Sequence, residues 1–281
     1  PNDTIPHRDR RTLRSLKVLG AWLGIDDMRP QKTRDAYVGE APRGHLLHFI
    51  VELEDALGAS SIVRAGTRKG LRTDLGGGPG KALLSLGLWP GADPPPTQTQ
   101  RLAVGQIGDS VSPADYGPSL PYPPIDRLLA PDGYWAAKRI ASLTTAQIHR
   151  AVLDARISDE ASSDELVRII LARRDKVVGY WFLQVTPAEV VRIDGNTIVM
   201  RDLPVAYELI APSATRYEAK LVDDHGKTIS NLLTMRLSSP EFAINLPVQN
   251  GPIVKRFVLR LMSSRNGIPQ PRVLDVHLIP G

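Results

Sequence analysis

The sequence predicts an α+β protein with two domains, a mainly helical domain at residues 1–187 and an antiparallel β-sandwich at residues 188–281. Apolar residues recur at helical spacing up to Pro187 and at alternate positions after it. Beyond Pro187, short apolar runs are separated by turn sequences, among them DGN at 194–196 and NG at 266–267. Short strands at such regular spacing are typical of an Ig-like sandwich.

Composition narrows the classes of function. The 281 residues suffice for two cores, and 42% hydrophobic with 23% charged residues is ordinary for a globular protein. The net charge of +5 comes from scattered basic residues and aromatics are only 5%, so nucleic acid is not an expected partner. No apolar run is long enough to predict a membrane span. The absence of cysteine excludes disulfides and cysteine nucleophiles, and is compatible with an oxidising compartment.

The first organised stretch is predicted to be a helix, a loop and a strand. The apolar positions at helical spacing are Leu13, Leu16, Gly20 and Leu23. The helix should end near Gly24, because Pro30 follows and the intervening aspartates suit a loop. The short apolar run at 46–51 predicts a strand covered on both faces.

A glycine-rich and then a proline-rich segment follow. The run GGGPGK at 76–81 lacks the Walker pattern, since Leu75 and Ala82 occupy required positions, and a flexible loop is favoured over a phosphate site. Residues 82–89 could form a short helix. The segment at 90–131 holds ten prolines and is predicted to wrap over the helical core. Recognition by a proline-binding module is the alternative, disfavoured because the segment also carries apolar residues for packing.

Three helices are predicted next, at 132–142, 145–155 and 159–181, the second with a capping box of Thr144 and Gln147. In the second domain, a hairpin is predicted at 190–200. Further strands are predicted at 205–210, 217–222, 232–237, 253–262 and 273–279.

The histidines give no predicted metal site. His149 stands alone on a helix, and His45 and His48 would point to opposite faces of a strand. His225, beside Asp223 and Asp224, could bind a cation, but a polar hairpin tip explains it more simply.

The charged sequence RRDK at 173–176 has two interpretations. It could hold an anionic partner. A solvated helix face with an Arg–Asp pair is favoured, because such pairs are common on helices.

Several of these segments resemble a family of uncharacterised exported bacterial proteins with the catalytic loop and metal loop of the protein-kinase-like fold. The resemblance rests on AWL at 21–23, the spacing to Asp27 and Asp35, and helical segments that end in RRDKVVGYWF at 173–182, and it covers roughly residues 1–187. It implies a kinase-C-lobe-like fold for the first domain. It also implies export, to a periplasmic or secreted location. A kinase-like fold would need an N-terminal lobe before Arg11, so the chain is expected to be the latter part of a longer precursor or a mature fragment.

The resemblance places four candidate residues in these loops, Asp27, Lys32, Glu52 and Glu54. Asp27 matches the family's loop aspartate, and the chain departs from the family at the other three. Lys32 stands where the family has a metal-binding asparagine, and residues 52–55 read Glu-Leu-Glu-Asp in place of Asp-Phe-Gly-Ser. Lysine has no acceptor lone pair and cannot ligate magnesium. Glutamate at 52 is one methylene longer than aspartate, which misplaces a ligand for an ion that requires octahedral geometry. We therefore expect a vestigial site in which Lys32 pairs with Asp27, Glu52 or Glu54, with no catalytic, cofactor-binding or metal-binding residues.

These expectations favour a non-catalytic structural or interaction protein, an accessory subunit of an extracytoplasmic assembly with a protein partner. The alternative is an ATP- and magnesium-dependent phosphotransferase that uses Asp27 as base and Glu52 as metal ligand. A hydrolase has little support, since the sequence has neither a Gly-x-Ser-x-Gly nor a His-Glu-x-x-His pattern.

Overall fold

The computed structural model describes residues 9–278 except 26, 63–103, 106, 119–121, 224 and 248–256. The glycine-rich run, the possible helix at 82–89 and the first part of the proline-rich segment lie outside the described residues. Helices and antiparallel sheets are both present, which confirms the α+β class. The chain divides into two compact units, Pro1–Val178 and Gly179–Gly281, and this division precedes the predicted boundary at Pro187.

The first unit is built from helices and one hairpin. Its helices are α1 (Arg11–Arg14), α2 (Leu16–Leu23), α3 (Pro123–Asp126), α4 (Ala130–Ala141), α5 (Thr145–Asp154) and α6 (Glu160–Phe182), whose last residues belong to the second unit. Its strands are β1 (Thr33–Val38) and β2 (His45–Ile50), and short 3-10 turns lie at Pro30–Lys32 and Ala56–Ile62. No described helix is both long and apolar enough to cross a membrane.

The predicted first helix is present as two helices, α1 and α2, separated at Ser15. It ends as predicted, because Gly24 adopts a left-handed conformation with φ of 68° that residues with a Cβ rarely adopt. The Trp22 ring nitrogen donates to the carbonyl of Ile170 at 3.0 Å, which attaches α2 to α6.

The strand β2 is where the run at 46–51 predicts it, but its predicted burial is wrong. It pairs only with β1, and Leu47 and Phe49 are 39% and 47% exposed. The apolar run indicates a strand without indicating what covers it, and in the described chain no third strand joins this sheet. The strand β1 is not predicted, because its sequence TRDAYV has no clear apolar alternation.

The helices α4, α5 and α6 confirm the three helices predicted at 132–181 within one or two residues at each end. The capping box is confirmed: the Thr144 hydroxyl accepts from the Gln147 amide at 3.2 Å, and the Gln147 side chain accepts from the Thr144 amide at 2.8 Å. In the described part of the proline-rich segment, Val104, Ile107 and Tyr116 are buried, as a wrapping segment requires.

The second unit is mostly antiparallel sheet. Its elements are β3 (Ala188–Asp194), β4 (Thr197–Asp202), α7 (Leu203–Ala206), β5 (Thr215–Val222), β6 (Thr228–Arg236), β7 (Glu241–Asn245), β8 (Phe257–Arg265), β9 (Ile268–Pro269) and β10 (Leu274–Leu278). One sheet has the order β10-β8-β5-β6, with β9 paired to β8, and the other has the order β3-β4-β7.

Most predicted strands of this unit are confirmed, including the hairpin of β3 and β4. The strand predicted at 205–210 is wrong: the chain forms α7 there, because the Asp202 carboxylate accepts from the Val205 amide at 2.9 Å and caps a helix that has Pro204 in its first turn. The strand β7 is not predicted, since its five residues are too short for a clear alternation.

Both sheets contribute to a single hydrophobic core. Its most buried side chains are Ile198, Met200, Tyr217, Ala219, Ile244, Leu259 and Leu261. The rings of Tyr217 on β5 and Phe242 on β7 stack at 4.5 Å between centroids, and these strands belong to different sheets. Alternate residues of β8 are buried from Leu259 to Arg265, which confirms the predicted alternation in that strand.

Candidate functional site

The loop after α2 and the turn after β2 bring three of the four sequence-predicted residues together. Gly24 ends α2, and the turn at Pro30–Lys32 then directs the Lys32 side chain inward, where the residue is 4% exposed. The amide of Val51 donates to the Lys32 carbonyl at 2.8 Å, which holds the end of β2 beside the loop.

The Lys32 ammonium is fully engaged. It lies 3.2 Å from Asp27 Oδ2 and 2.5 Å from Glu54 Oε1, and it donates to the carbonyl oxygen of Glu52 at 3.2 Å. An ammonium group has three donors, and these three acceptors use all of them. The predicted ion pair is therefore present with Asp27 and Glu54.

Glu52 enters this cluster through its backbone and not through its carboxylate. Its side chain is exposed, and its φ of 59° places it in the left-handed region, where the chain turns away from β2. Of the three partners that the sequence allowed for Lys32, the Glu52 carboxylate is therefore the one that does not pair with it. Because the backbone turns at residue 52, the Glu52 carboxylate is not among the oxygen atoms that contact Lys32.

Two residues of the cluster were missed at the sequence level. The Arg29 guanidinium pairs with the Asp27 carboxylate, and a carboxylate oxygen of the buried Asp55 accepts from the Asp27 amide at 2.7 Å. Asp55 is the last residue of the Glu-Leu-Glu-Asp sequence, and its position next to Glu54 is the one sequence feature that could have placed it in the cluster. For Arg29 the sequence gives only a weak indication of pairing, which is that a cation lies two residues from an aspartate.

The charges of the cluster shift one another's pKa. Burial alone would raise the pKa of Asp27, but hydrogen bonds from Arg29 and Lys32 outweigh it, and the pKa is lowered from 3.8. Burial alone would lower the pKa of Lys32, but Glu54 and Asp27 outweigh it, and the pKa is raised from 10.5. The hydrogen bond from Lys32 likewise lowers the pKa of Glu54. All three groups are charged at neutral pH.

The space beside Lys32 is small. A cavity lined by Asp27, Arg29, Lys32 and Glu52 has a volume of about 10 Å³. Such a volume holds about one water molecule and is far below the several hundred Å³ typical of pockets for small ligands. In the described parts of the chain, no group of three or more histidine, aspartate or glutamate side chains is arranged to hold a metal ion.

The cluster gives a testable dependence of stability on pH. A carboxylate with a lowered pKa stabilises the fold above its ordinary value of 3.8 and loses this contribution as the pH falls through its folded pKa. A lysine with a raised pKa stabilises below 10.5 and loses this contribution as the pH rises through its folded pKa. The ion pair therefore stabilises the first unit throughout the interval between these two values.

We expect Lys32→Met to lower the free energy of unfolding by about 1–2 kcal/mol at pH 7, because a buried charge-assisted hydrogen bond is lost. The difference should shrink at an acidic pH below the folded pKa of Asp27, which is lowered from 3.8, because the carboxyl group is then protonated in both variants. Urea denaturation at the two pH values measures it. A difference that stays constant with pH would mean that Lys32 stabilises only by packing.

The other predicted residues do not form a site. His149 and His45 are exposed, as is His225 in the turn between β5 and β6; its amide donates to the Asp223 carboxylate at 3.0 Å. The amide of Lys227 donates to the same carboxylate, which confirms a polar hairpin tip. The His48 side chain and Asp224 lie outside the described atoms.

The interpretation of residues 173–176 as a solvated face is wrong for Arg173. The Arg174 guanidinium does pair with Asp175 at 3.0 Å, but Arg173 is 5% exposed and donates to four backbone carbonyls. Those carbonyls belong to Ala21, Trp22, Gly108 and Ser110. Arg173 is therefore a structural connection between α6, the end of α2 and the proline-rich segment.

Comparison of the chain with protein-family models, with curated proteins and with solved structures gives no match.

Proposed function

We propose that this chain is a non-catalytic interaction protein whose first unit is a degenerate kinase-C-lobe-like domain. The observation that carries the proposal is the Lys32 ammonium held by Asp27, Glu54 and the Glu52 carbonyl. In an active site of the kinase-like fold, side-chain oxygen atoms at positions 32 and 52 would hold magnesium beside the phosphates. Here position 32 carries a fixed cation, the Glu52 side chain is exposed, and the adjoining cavity of about 10 Å³ has no room for a nucleotide.

We further propose that the second unit is an Ig-like β-sandwich that makes the contacts with a protein partner. Two antiparallel sheets with a shared core support this architecture. The strand β3 supports the role, because it is the edge of its sheet and exposes Val190, Val191 and Ile193 by 41%, 40% and 62%. An edge strand has unpaired backbone groups that another chain's strand can use.

The proposed setting is an extracytoplasmic assembly, in which this chain is an accessory subunit. The resemblance to an exported bacterial family is the main support, and the absence of cysteine is compatible with it. Fractionation of cells that express the full-length protein tests the location. Recovery in the cytoplasm alone would contradict it.

The decisive experiment on the site is calorimetric titration of the chain with ATP and magnesium. We expect no binding at millimolar nucleotide, because the lysine cannot be displaced by magnesium. The matched variant carries Lys32→Asn and Glu52→Asp together, which gives both positions the residue types of the active pattern and removes the fixed charge. Together with a supplied N-terminal lobe, it should bind nucleotide measurably.

Micromolar binding of ATP and magnesium to the unaltered chain would favour the alternative, a phosphotransferase that uses Asp27 as base and Glu52 as metal ligand. A photo-crosslinking residue at position 193 tests the interaction role separately, with position 149 on α5 as the control, since both positions are exposed. We expect a discrete adduct in cells only from position 193. Equal labelling from both positions would remove the support that β3 gives to the proposal.

A further inference from the structure

A second pocket of the first unit has a volume of about 250 Å³ and is not lined by Lys32, although it shares Leu16, Thr33 and Ile50 with the small cavity beside that residue. Its walls come from α1 and α2, from the end of β2 and from α4. The apolar side chains that line it are Leu13, Leu16, Leu19, Phe49, Ile50 and Trp135. Its volume is slightly below the range of about 300–1,000 Å³ for pockets that hold drug-sized ligands. The occupant must therefore be small and mainly apolar.

The hydroxyl groups of Ser15 and Thr33 at this pocket already have partners. Ser15 donates to the carbonyl of Asp132 at 3.1 Å, and Thr33 donates to the carbonyl of Pro30 at 2.8 Å. Neither hydroxyl therefore has a proton left to donate to a ligand. The interior therefore favours an alkyl or aryl chain over a sugar or a nucleoside.

The charge at the pocket is carried by Arg139. Its guanidinium lies 5.5 Å from the centre of the Trp135 ring, and the residue is exposed. It forms no ion pair with any described residue. By contrast, Arg11 and Arg14 on α1 do not line the pocket, and both pair with the Asp132 carboxylate, at 3.4 Å and 2.6 Å. Arg139 is thus the cation available to a ligand in this pocket.

We propose that this pocket binds a single-chain amphiphile with an anionic head, of the class of medium-chain carboxylates. The chain lies between Leu16, Leu19 and Phe49, and the carboxylate accepts hydrogen bonds from Arg139. Arginine suits this role because its planar fork matches a carboxylate with two parallel hydrogen bonds. The volume admits one chain and excludes the two chains of a membrane lipid. This inference is independent of the cluster around Lys32.

Calorimetric titration with sodium decanoate, below its micelle concentration, tests the proposal, and 1-decanol is the uncharged probe. We expect saturable one-to-one binding of decanoate in the micromolar range, with decanol about tenfold weaker because it lacks the charge-assisted hydrogen bonds. Arg139→Gln should weaken the binding of decanoate about tenfold and leave the binding of decanol unchanged. Phe49→Ala should weaken the binding of both probes by the same factor, because it removes apolar surface from the pocket wall and changes no charge.

Lys138→Gln is the matched control, since it makes the same change of charge on the same helix at a residue that does not line the pocket. It should bind decanoate like the unaltered chain. Both altered cations have partly or fully exposed side chains, and melting curves check that each variant folds. Absence of saturable decanoate binding overturns the proposal, as does equal weakening by Arg139→Gln and Lys138→Gln. Binding to phosphatidylglycerol vesicles without binding to dispersed decanoate would also overturn it, in favour of a membrane surface.

Discussion

Replacement of Arg173 by leucine should lower the free energy of unfolding of the first unit by about 3–5 kcal/mol, because four backbone carbonyls, three of them buried, lose their donor. The Arg173 Nε donates to Trp22 O at 2.8 Å and Nη2 to Ala21 O at 2.5 Å. Its Nη1 donates to Gly108 O at 2.9 Å and Ser110 O at 3.1 Å. The carbonyls of Ala21 and Trp22 end α2 and have no partner within that helix.

The charge of Arg173 persists at neutral pH. Burial lowers its pKa to about 10, which is still well above 7. A cation at the end of α2 also interacts favourably with the helix dipole. Lysine at this position would keep the charge but not the fork of donors, so Arg173→Lys should recover only part of the loss.

Chemical denaturation followed by circular dichroism measures this effect. Arg168→Leu is the control on the same helix, because its guanidinium is 53% exposed and its pairs with Glu165 and Asp109 lie at the surface. Such pairs contribute about 0–1 kcal/mol. A loss for Arg173→Leu no larger than that of the control would contradict the role assigned to the four carbonyl contacts.

Replacement of Asp202 by alanine should destabilise the second unit by about 3–5 kcal/mol, because it leaves a buried arginine charge without its partner. The Asp202 carboxylate is fully buried and lies 2.5 Å from the Arg265 guanidinium. It also accepts from the Tyr217 hydroxyl at 2.7 Å and from the Val205 amide at 2.9 Å. One side chain thus joins β5, β8 and the start of α7.

Two further variants separate charge from hydrogen bonding. Tyr217→Phe removes one hydroxyl and should cost about 1–2 kcal/mol. Burial, together with the Asp202 charge, raises the pKa of that hydroxyl, so it stays protonated and donates. The double variant Asp202→Leu with Arg265→Leu removes both charges and should be more stable than Asp202→Ala alone.

Thermal unfolding measures the stability of these variants. Arg192→Ala is the control, since its pair with Asp194 is exposed and contributes about 0–1 kcal/mol. If the double variant were less stable than Asp202→Ala, the ion pair itself would be the source of stability. The explanation by an unpaired buried charge would then be wrong.

Elements with their own local signals were predictable from the sequence. The helix α5 has a capping box, and the hairpin of β3 and β4 has a turn of Asp194, Gly195 and Asn196, so both depend on neighbours in the chain. The burial of β2 was not predictable, since an apolar run does not specify what covers it. The helix α7 replaced a predicted strand because a capping carboxylate outweighed the strand propensity of a few residues.

The candidate site shows the same limit. The pairing of Lys32 with Asp27 and Glu54 followed from chemistry, because a lysine between carboxylates must find partners when it is buried. The direction of the Glu52 side chain did not follow, because it depends on a left-handed residue that the sequence does not indicate. Arg173 was misjudged for a similar reason: its partners are carbonyls of distant segments, and carbonyls carry no sequence signal.

The inward position of Lys32 also means that the charge compensation of this loop comes from the chain and not from a bound metal ion. A metal ion held between carboxylates exchanges with solution, so its contribution to stability varies with the free ion concentration. An ammonium group on the chain is present once per molecule under every condition and cannot be removed by a chelator. The loop between α2 and β1 therefore acquires its charge compensation during folding itself. At constant ionic strength, its stability should be the same in dilute and concentrated magnesium.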